Sequence, residues 1–208
     1  MDVARGEGQG VRPAAMADAD VLTDILASAF ANDPVMTWTL GDARAIRALF
    51  YELTCGLYLK KGFAHIEPQG AATLWLPSGA TQSMPVMNKL RIAISVLSKN
   101  GFAAMRRALA VGDVLENNHP KEPHYYLFAV GVKPQMQGRG LGGRLIREGL
   151  KRVDTDGAPA YLENSNPKNT PLYERLGFKA IAPLPLPDGA PPLLAMLRPA
   201  NISAGATI

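Results

Sequence analysis

The spacing of apolar residues changes several times along the chain, and each change marks an element. Val21, Leu22, Ile25, Leu26 and Phe30 recur at helical spacing behind Asp18 and Asp20, either of which can cap a helix ending near Asn32-Asp-Pro34. Ile46, Leu49, Phe50, Leu53, Leu57 and Tyr58 form the buried stripe of a second helix over 43–60, stopped by Gly62. Residues 63–67 and 71–76 read as an antiparallel pair of strands around Pro68-Gln-Gly70. From 84 to 118 the chain turns helical, with runs at 90–97 and 102–115 parted by Lys99-Asn-Gly101, which predicts a helical insert. Residues 124–132 are nearly all apolar, as expected of a central strand covered on both faces. Leu141, Leu145, Ile146, Leu150 and Val153 then give the next helix its buried stripe. A strand over 158–163 follows, then a short helix capped by Thr170 with Pro171 at its first position and Gly177 closing it. Strands at 178–182 and 193–197, joined by a Pro-rich connection, complete a mixed α/β pattern that starts with a short strand ending at Val11-Arg-Pro. Residues 1–10 and 200–208 read as mobile tails around one domain over 11–199.

The junction between the central strand and the helix after it carries the chemistry. It reads Val132-Lys-Pro-Gln-Met-Gln137-Gly138-Arg139-Gly140-Leu141-Gly142-Gly143-Arg144. Glycines there leave no Cβ in the way of a ligand, and the first N–H groups of the helix have no internal acceptor, so the turn is built to grip an anion such as a cofactor pyrophosphate. Gly138-x-Gly140-x-x-Gly143 formally satisfies the dinucleotide pattern, with Glu163 about twenty residues on where a ribose-binding acid sits. Five residues separate Val132 from the first glycine, however, and neither the chain before Tyr125 nor that after Glu163 supplies the βαβ units of a doubly wound sheet. A P-loop is excluded because Gly143-Arg144-Leu145 stands where Gly-Lys-Ser/Thr is needed.

Gln137-x-x-Gly140-x-Gly142 after Val-x-Pro resembles the acetyl-CoA motif of the GCN5-related N-acetyltransferase (GNAT) superfamily. Leu162-Glu163 and Asn169-Thr-Pro-Leu-Tyr173-Glu-Arg-Leu-Gly177-Phe178 resemble that family's next two elements, in order and at the right distance. Within it, His119-Pro-Lys-Glu-Pro123, Val130-Gly-Val132 and Leu162-Glu-Asn-Ser165 are similar to puromycin N-acetyltransferase-like members, and the insert is least alike. The resemblance implies a mixed, mostly antiparallel sheet with splayed parallel strands at the cofactor site, flanked by helices. It implies acetyl-CoA as acetyl donor, held by backbone groups of Val130, Gly131 and Val132, by the turn Gln137, Gly138, Arg139, Gly140, Leu141, Gly142 and Gly143, and by Asn169. It also implies transfer to a small-molecule amine. Tyr173 is the candidate to protonate the departing thiolate, and it also belongs to the cofactor site. Glu163 is the candidate base, acting directly, through water, or by orienting an ammonium. The rival functions are acetylation of a protein lysine or N-terminus, and a non-catalytic acyl-CoA sensor.

Composition narrows the rest. Of 208 residues 47% are apolar and 19% charged, an ordinary globular balance, and a net charge of +4 without an aromatic-interleaved basic stripe does not call for nucleic acid. No segment has the roughly 18 consecutive apolar residues of a membrane span, and the lone Cys55 permits neither an internal disulfide nor a cysteine-based zinc site, so a cytoplasmic protein without metal is expected. His65, His119 and His124 are too dispersed in sequence for a metal and read as structural or exposed. Trp38, Trp75 and Tyr125, with Met84, Met87 and Met105, are candidates either for an acceptor pocket or for plain core. The apolar helices between Leu90 and Leu115 can cover the core or a partner subunit, leaving monomer and homodimer both open.

Overall fold

The computed structural model describes residues 10–201, so the expected tails fall almost wholly outside the described residues. Seven strands form one sheet in the order β1-β2-β3-β4-β5-β7-β6: β1 (Arg12–Pro13), β2 (Phe63–Glu67), β3 (Ala71–Leu76), β4 (Tyr125–Val132), β5 (Ala160–Asn164), β6 (Lys179–Pro183) and β7 (Leu194–Arg198). Every neighbouring pair is antiparallel except β4 and β5. Side chains alternate across the pleat, so the two faces carry separate cores. Leu74 and Tyr126 pack with Leu22, Ile25 and Leu26 of α1 (Ala19–Phe30) and with Ile46 and Phe50 of α3 (Ala43–Leu53). On the other face Trp75, Tyr125 and Leu127 pack with Ile146 and Val153 of α6 (Leu141–Thr155) and with Tyr173 of α7 (Thr170–Arg175).

Several elements differ from the expected ones for local reasons. Asn32-Asp-Pro34 ends α1 but also starts α2 (Pro34–Leu40): Asp33 accepts the Met36 N–H at 3.0 Å and Pro34 takes the first position. Asp18 is no side-chain cap; its carboxylate accepts from Arg12 at 2.6 Å and from the Ala15 N–H at 2.9 Å. The second helix widens into a π turn at Thr54–Tyr58 and finishes as α4 (Leu59–Lys61). Gly62 ends it in extended rather than left-handed backbone, and a Cβ there would lie 2.1 Å from the Trp75 carbonyl oxygen. The insert is α5 (Val86–Asn118), broken at Gly101 (φ 70°, ψ −171°) as the Lys99-Asn-Gly101 punctuation predicts. Thr170 does not cap α7; its hydroxyl accepts from Asn164 Nδ2 at 2.9 Å, and Asn166 caps the preceding turn by accepting the Lys168 N–H at 3.1 Å.

Trp75 is the largest fully buried side chain, and α6 reaches it through Gly149, where a Cβ would stand 2.5 Å from the indole ring. Replacing that glycine by valine gains almost nothing in helix propensity and overpacks a closed site. Gly149→Val is therefore expected to cost about 2–3 kcal/mol, read as a lowered urea midpoint with unchanged slope.

Candidate active site

The split in the sheet begins with a miscount. β3 pairs Leu74 with Ala129 and Trp75 with Leu127, so β4 carries Phe128 as an extra residue, a β-bulge that bends and twists the strand. The parallel pairing with β5 covers just Tyr125 with Ala160 and Tyr126 with Tyr161 before the two strands part. The backbone orientation beyond that point follows from one hydrogen bond. Lys133 N–H donates to Gly70 O on the β3 side at 2.8 Å, so by the two-residue alternation the polar groups of Val130 and Val132 face the open edge. Gln137 Nε2 donates to Val132 O at 3.1 Å, consistent with that direction. Gly131 is turned the other way, toward Ala72 of β3, and it is glycine because a Cβ would meet Ala29 and Leu26 of α1 at 2.9 Å.

At the end of this edge the glycines divide into two kinds. Gly138 (φ 77°) and Gly140 (φ 75°) occupy left-handed backbone with open space where a Cβ would be. At Gly142 and Gly143 no positive φ is required, and a Cβ would make ordinary contact with Val132 at 3.5 Å and with Leu172 at 3.4 Å. The first α6 amide bonded within the helix is Arg144 N–H, to Gly140 O at 3.1 Å, which leaves the amides of Leu141 to Gly143 directed outward with no side-chain cap. Arg139 and Arg144 are exposed and are in no ion pair among the described residues. This donor-rich end and the open β4 edge suit the two parts of a coenzyme A arm, its pyrophosphate and its amides. Asn169, exposed at the start of α7, spends its side chain on no cap bond.

Across the split lies a cavity of about 430 Å³. One wall is the insert, with Ile92, Val96 and Met105; Leu49 of α3 and Phe128 of the bulge supply more apolar surface. Asp33, Glu163, Ser165 and Tyr126 are the polar groups at its sheet end. Ser165 donates to Asp33 Oδ2 at 2.5 Å and Tyr126 donates to Glu163 Oε2 at 2.7 Å. The Glu163 side chain is 6% exposed and pairs with neither Arg175 nor Lys168, so it is no surface acid. Tyr173 is 7% exposed; burial, and then the charge of Asp33, hold its pKa well above the ordinary phenol value. Tyr126 and Tyr58 are pushed up likewise by burial and by Glu163.

The remaining candidates separate clearly. Tyr125 and Trp75 belong to the opposite core, and Trp38 lies under the Arg107 guanidinium, so none of the three lines the cavity. Of the three methionines Met105 does, while Met87 is exposed. Cys55 is half-buried, and burial raises its thiol pKa, the reverse of activation. His119 and His124 are 2.9 Å apart and stand beside Glu163, a grouping that sequence distance concealed. Among the described residues no cluster of three metal-ligating side chains occurs, and no helix is long and apolar enough to cross a membrane.

A mostly antiparallel sheet opened between its two parallel strands, with a glycine turn leading into a helix at the opening, defines the GNAT fold. Residues 96–178, from the insert through β4, α6 and β5 to just past α7, match the family described as Acetyltransferase (GNAT) family. A Corynebacterium glutamicum structure described as histone acetyltransferase HPA2 and related acetyltransferase is similar over 94% of this chain and 98% of its own, with 27% identity and a TM-score of 0.71. Drosophila melanogaster polyamine N-acetyltransferase shares the fold at 17% identity, with a TM-score of 0.59 over 90% of this chain and 97% of its own. Mycothiol acetyltransferase of Streptomyces scabiei is 36% identical over 80 residues, 37% of this chain. The match spans about a quarter of that relative's length, 26%.

Proposed function

We propose that the protein transfers an acetyl group from acetyl-CoA to the amine of a small molecule with an apolar body. The observation that carries this reading is the cavity: apolar walls closed over by the insert, with Asp33 and Glu163 at the end nearest the split strands. A carboxylate-tipped apolar pocket suits an ammonium attached to a hydrophobic frame, and antibiotic-like amines of the puromycin type head the list. Acetyl-CoA supplies an acyl group activated as a thioester. The outward amides of Leu141 to Gly143, with Arg139 and Arg144, are assigned to its pyrophosphate, the open groups of Val130 and Val132 to its amides, and Asn169 to its arm. The Val130 N–H is also assigned to stabilise negative charge on an acyl oxygen. Tyr173 holds the proton that a departing thiolate needs, and Glu163 takes one from the ammonium.

Incubation with acetyl-CoA and a panel of amines, following thiol release, tests the reading. Release with apolar primary amines supports it. Acetylation confined to lysine or N-terminal peptides favours a protein acetyltransferase, and coenzyme A binding without release from any amine favours a sensor.

A further inference from the structure

One oxygen of the buried Glu163 carboxylate is satisfied by Tyr126, while Oε1 has no hydrogen-bond partner among the described residues. Set against Oε1 is His119 Nδ1, 3.6 Å away. The protonation of this contact can be worked inward from the surface. His124 Nδ1 lies 2.7 Å from the backbone oxygen of Glu122, which can only accept, so His124 carries its proton on Nδ1. Burial lowers the pKa of His124 and favours the neutral ring, leaving Nε2 bare. That bare nitrogen is 2.9 Å from His119 Nε2, which must therefore donate. The Gln82 amide, 2.7 Å from the same nitrogen, fits this state with its oxygen end, since the two ends of an amide exchange by a rotation. A neutral His119 thus holds its one proton on Nε2 and turns a bare Nδ1 toward the Glu163 carboxylate, which the Tyr161 hydroxyl also approaches.

We propose that Glu163 and His119 act as one base, taking the acceptor amine's proton between Oε1 and Nδ1, with His124 as the positioning residue that keeps Nδ1 bare. This rests on the acetyltransferase reading above and adds two residues to it. An ammonium N–H bond breaks, its electron pair stays on nitrogen, and an O–H bond forms at Glu163. The proton then passes to His119 Nδ1, leaving an imidazolium beside a carboxylate, and is lost to solvent after the product leaves. The hand-on moves the proton from a carboxylate to an imidazole, in general the stronger base of the two. The other groups facing the pair leave it this role. Tyr126 and Tyr161 pack their rings 4.8 and 5.0 Å from His119, and these phenols, with Tyr58, stay neutral because burial and the Glu163 charge raise their pKa values. Asp33 and Lys89 line the same cavity with opposite charge, and Glu122 beside His124 favours a proton there.

Two experiments test the proposal, one of them independent of any substrate. Imidazole ¹⁵N shifts of the unliganded protein are expected to show His124 protonated on Nδ1 and His119 on Nε2. A His119 protonated on Nδ1 overturns the pair even if acetyl transfer is confirmed. In turnover with an amine found active, His119→Asn is expected to lose about thirtyfold near pH 7 and His124→Asn about fivefold, both losses shrinking toward the amine pKa near 10, where the substrate arrives neutral. The same loss at every pH, or losses that multiply in a Glu163→Gln/His119→Asn double variant, refutes the shared base. Failure of every amine, with the expected shifts intact, counts against the acetyltransferase reading instead.

Discussion

Tyr173→Phe is expected to lower turnover by roughly a hundredfold or more, the usual worth of a general acid, while coenzyme A affinity measured by calorimetry stays within about threefold. Phenylalanine keeps the ring, so the edge contact with Phe178 at 6.1 Å and the seat of α7 against α6 survive. What disappears is one buried hydroxyl. Burial and Asp33 raise its pKa, so it holds its proton throughout the working pH range and contributes no alkaline limb below about pH 10. The raised pKa weakens it as an acid in the unliganded protein; its assigned task is therefore to donate toward a thiolate as that charge develops. Unchanged turnover in the phenylalanine variant removes Tyr173 from the mechanism.

Glu163→Gln is expected to lower kcat/KM near pH 7 by about a hundredfold, with the gap closing as the pH rises. The amide is isosteric and its oxygen still accepts from Tyr126, so the cavity end keeps its shape. The sign follows from the substrate. An amine with a lysine-like pKa of about 10.4 is neutral in roughly one molecule in a few thousand at pH 7, and a base matters in proportion. Above the amine pKa the base has nothing to remove, and the two enzymes converge. An α-amino substrate, with a pKa near 8, should show a smaller gap and an earlier convergence. A variant-to-wild-type ratio that is flat across pH assigns Glu163 to shape or binding instead.

Both candidates were legible from motif order, but their surroundings were not. Glu163 stood out by position alone, with surface and ion-paired readings open; its burial under Tyr126 and its approach to His119 depend on β4 and β5 lying side by side, 37 residues apart in sequence. The one-residue alternation at Tyr125 and Tyr126 sends the first to the α6 core and the second to the cavity, a choice the apolar run 124–132 does not reveal because both faces are covered. Asp33 was read as the end of a helix, yet its two oxygens cap α2 and meet Ser165 just after β5. Gly142 and Gly143 looked the same as Gly138 and Gly140 in the motif; only the latter two stand in left-handed backbone, while a Cβ on either of the first two would meet Val132 or Leu172 at ordinary contact distance.

Local signals by themselves determined most of the elements, though not α2 or the helix caps at Asp18 and Thr170, and with them the helical insert with its break at Gly101, the antiparallel 63–76 pair and the glycine turn between a central strand and a helix, because hydrophobic period and positive-φ glycines act over a few residues. Tertiary structure alone decided the opening of the sheet at the Phe128 bulge, the apolar cavity and the meeting of Glu163 with His119 and His124. Those features arise from register between strands and from packing of distant helices, and no interaction within a short stretch of chain encodes either.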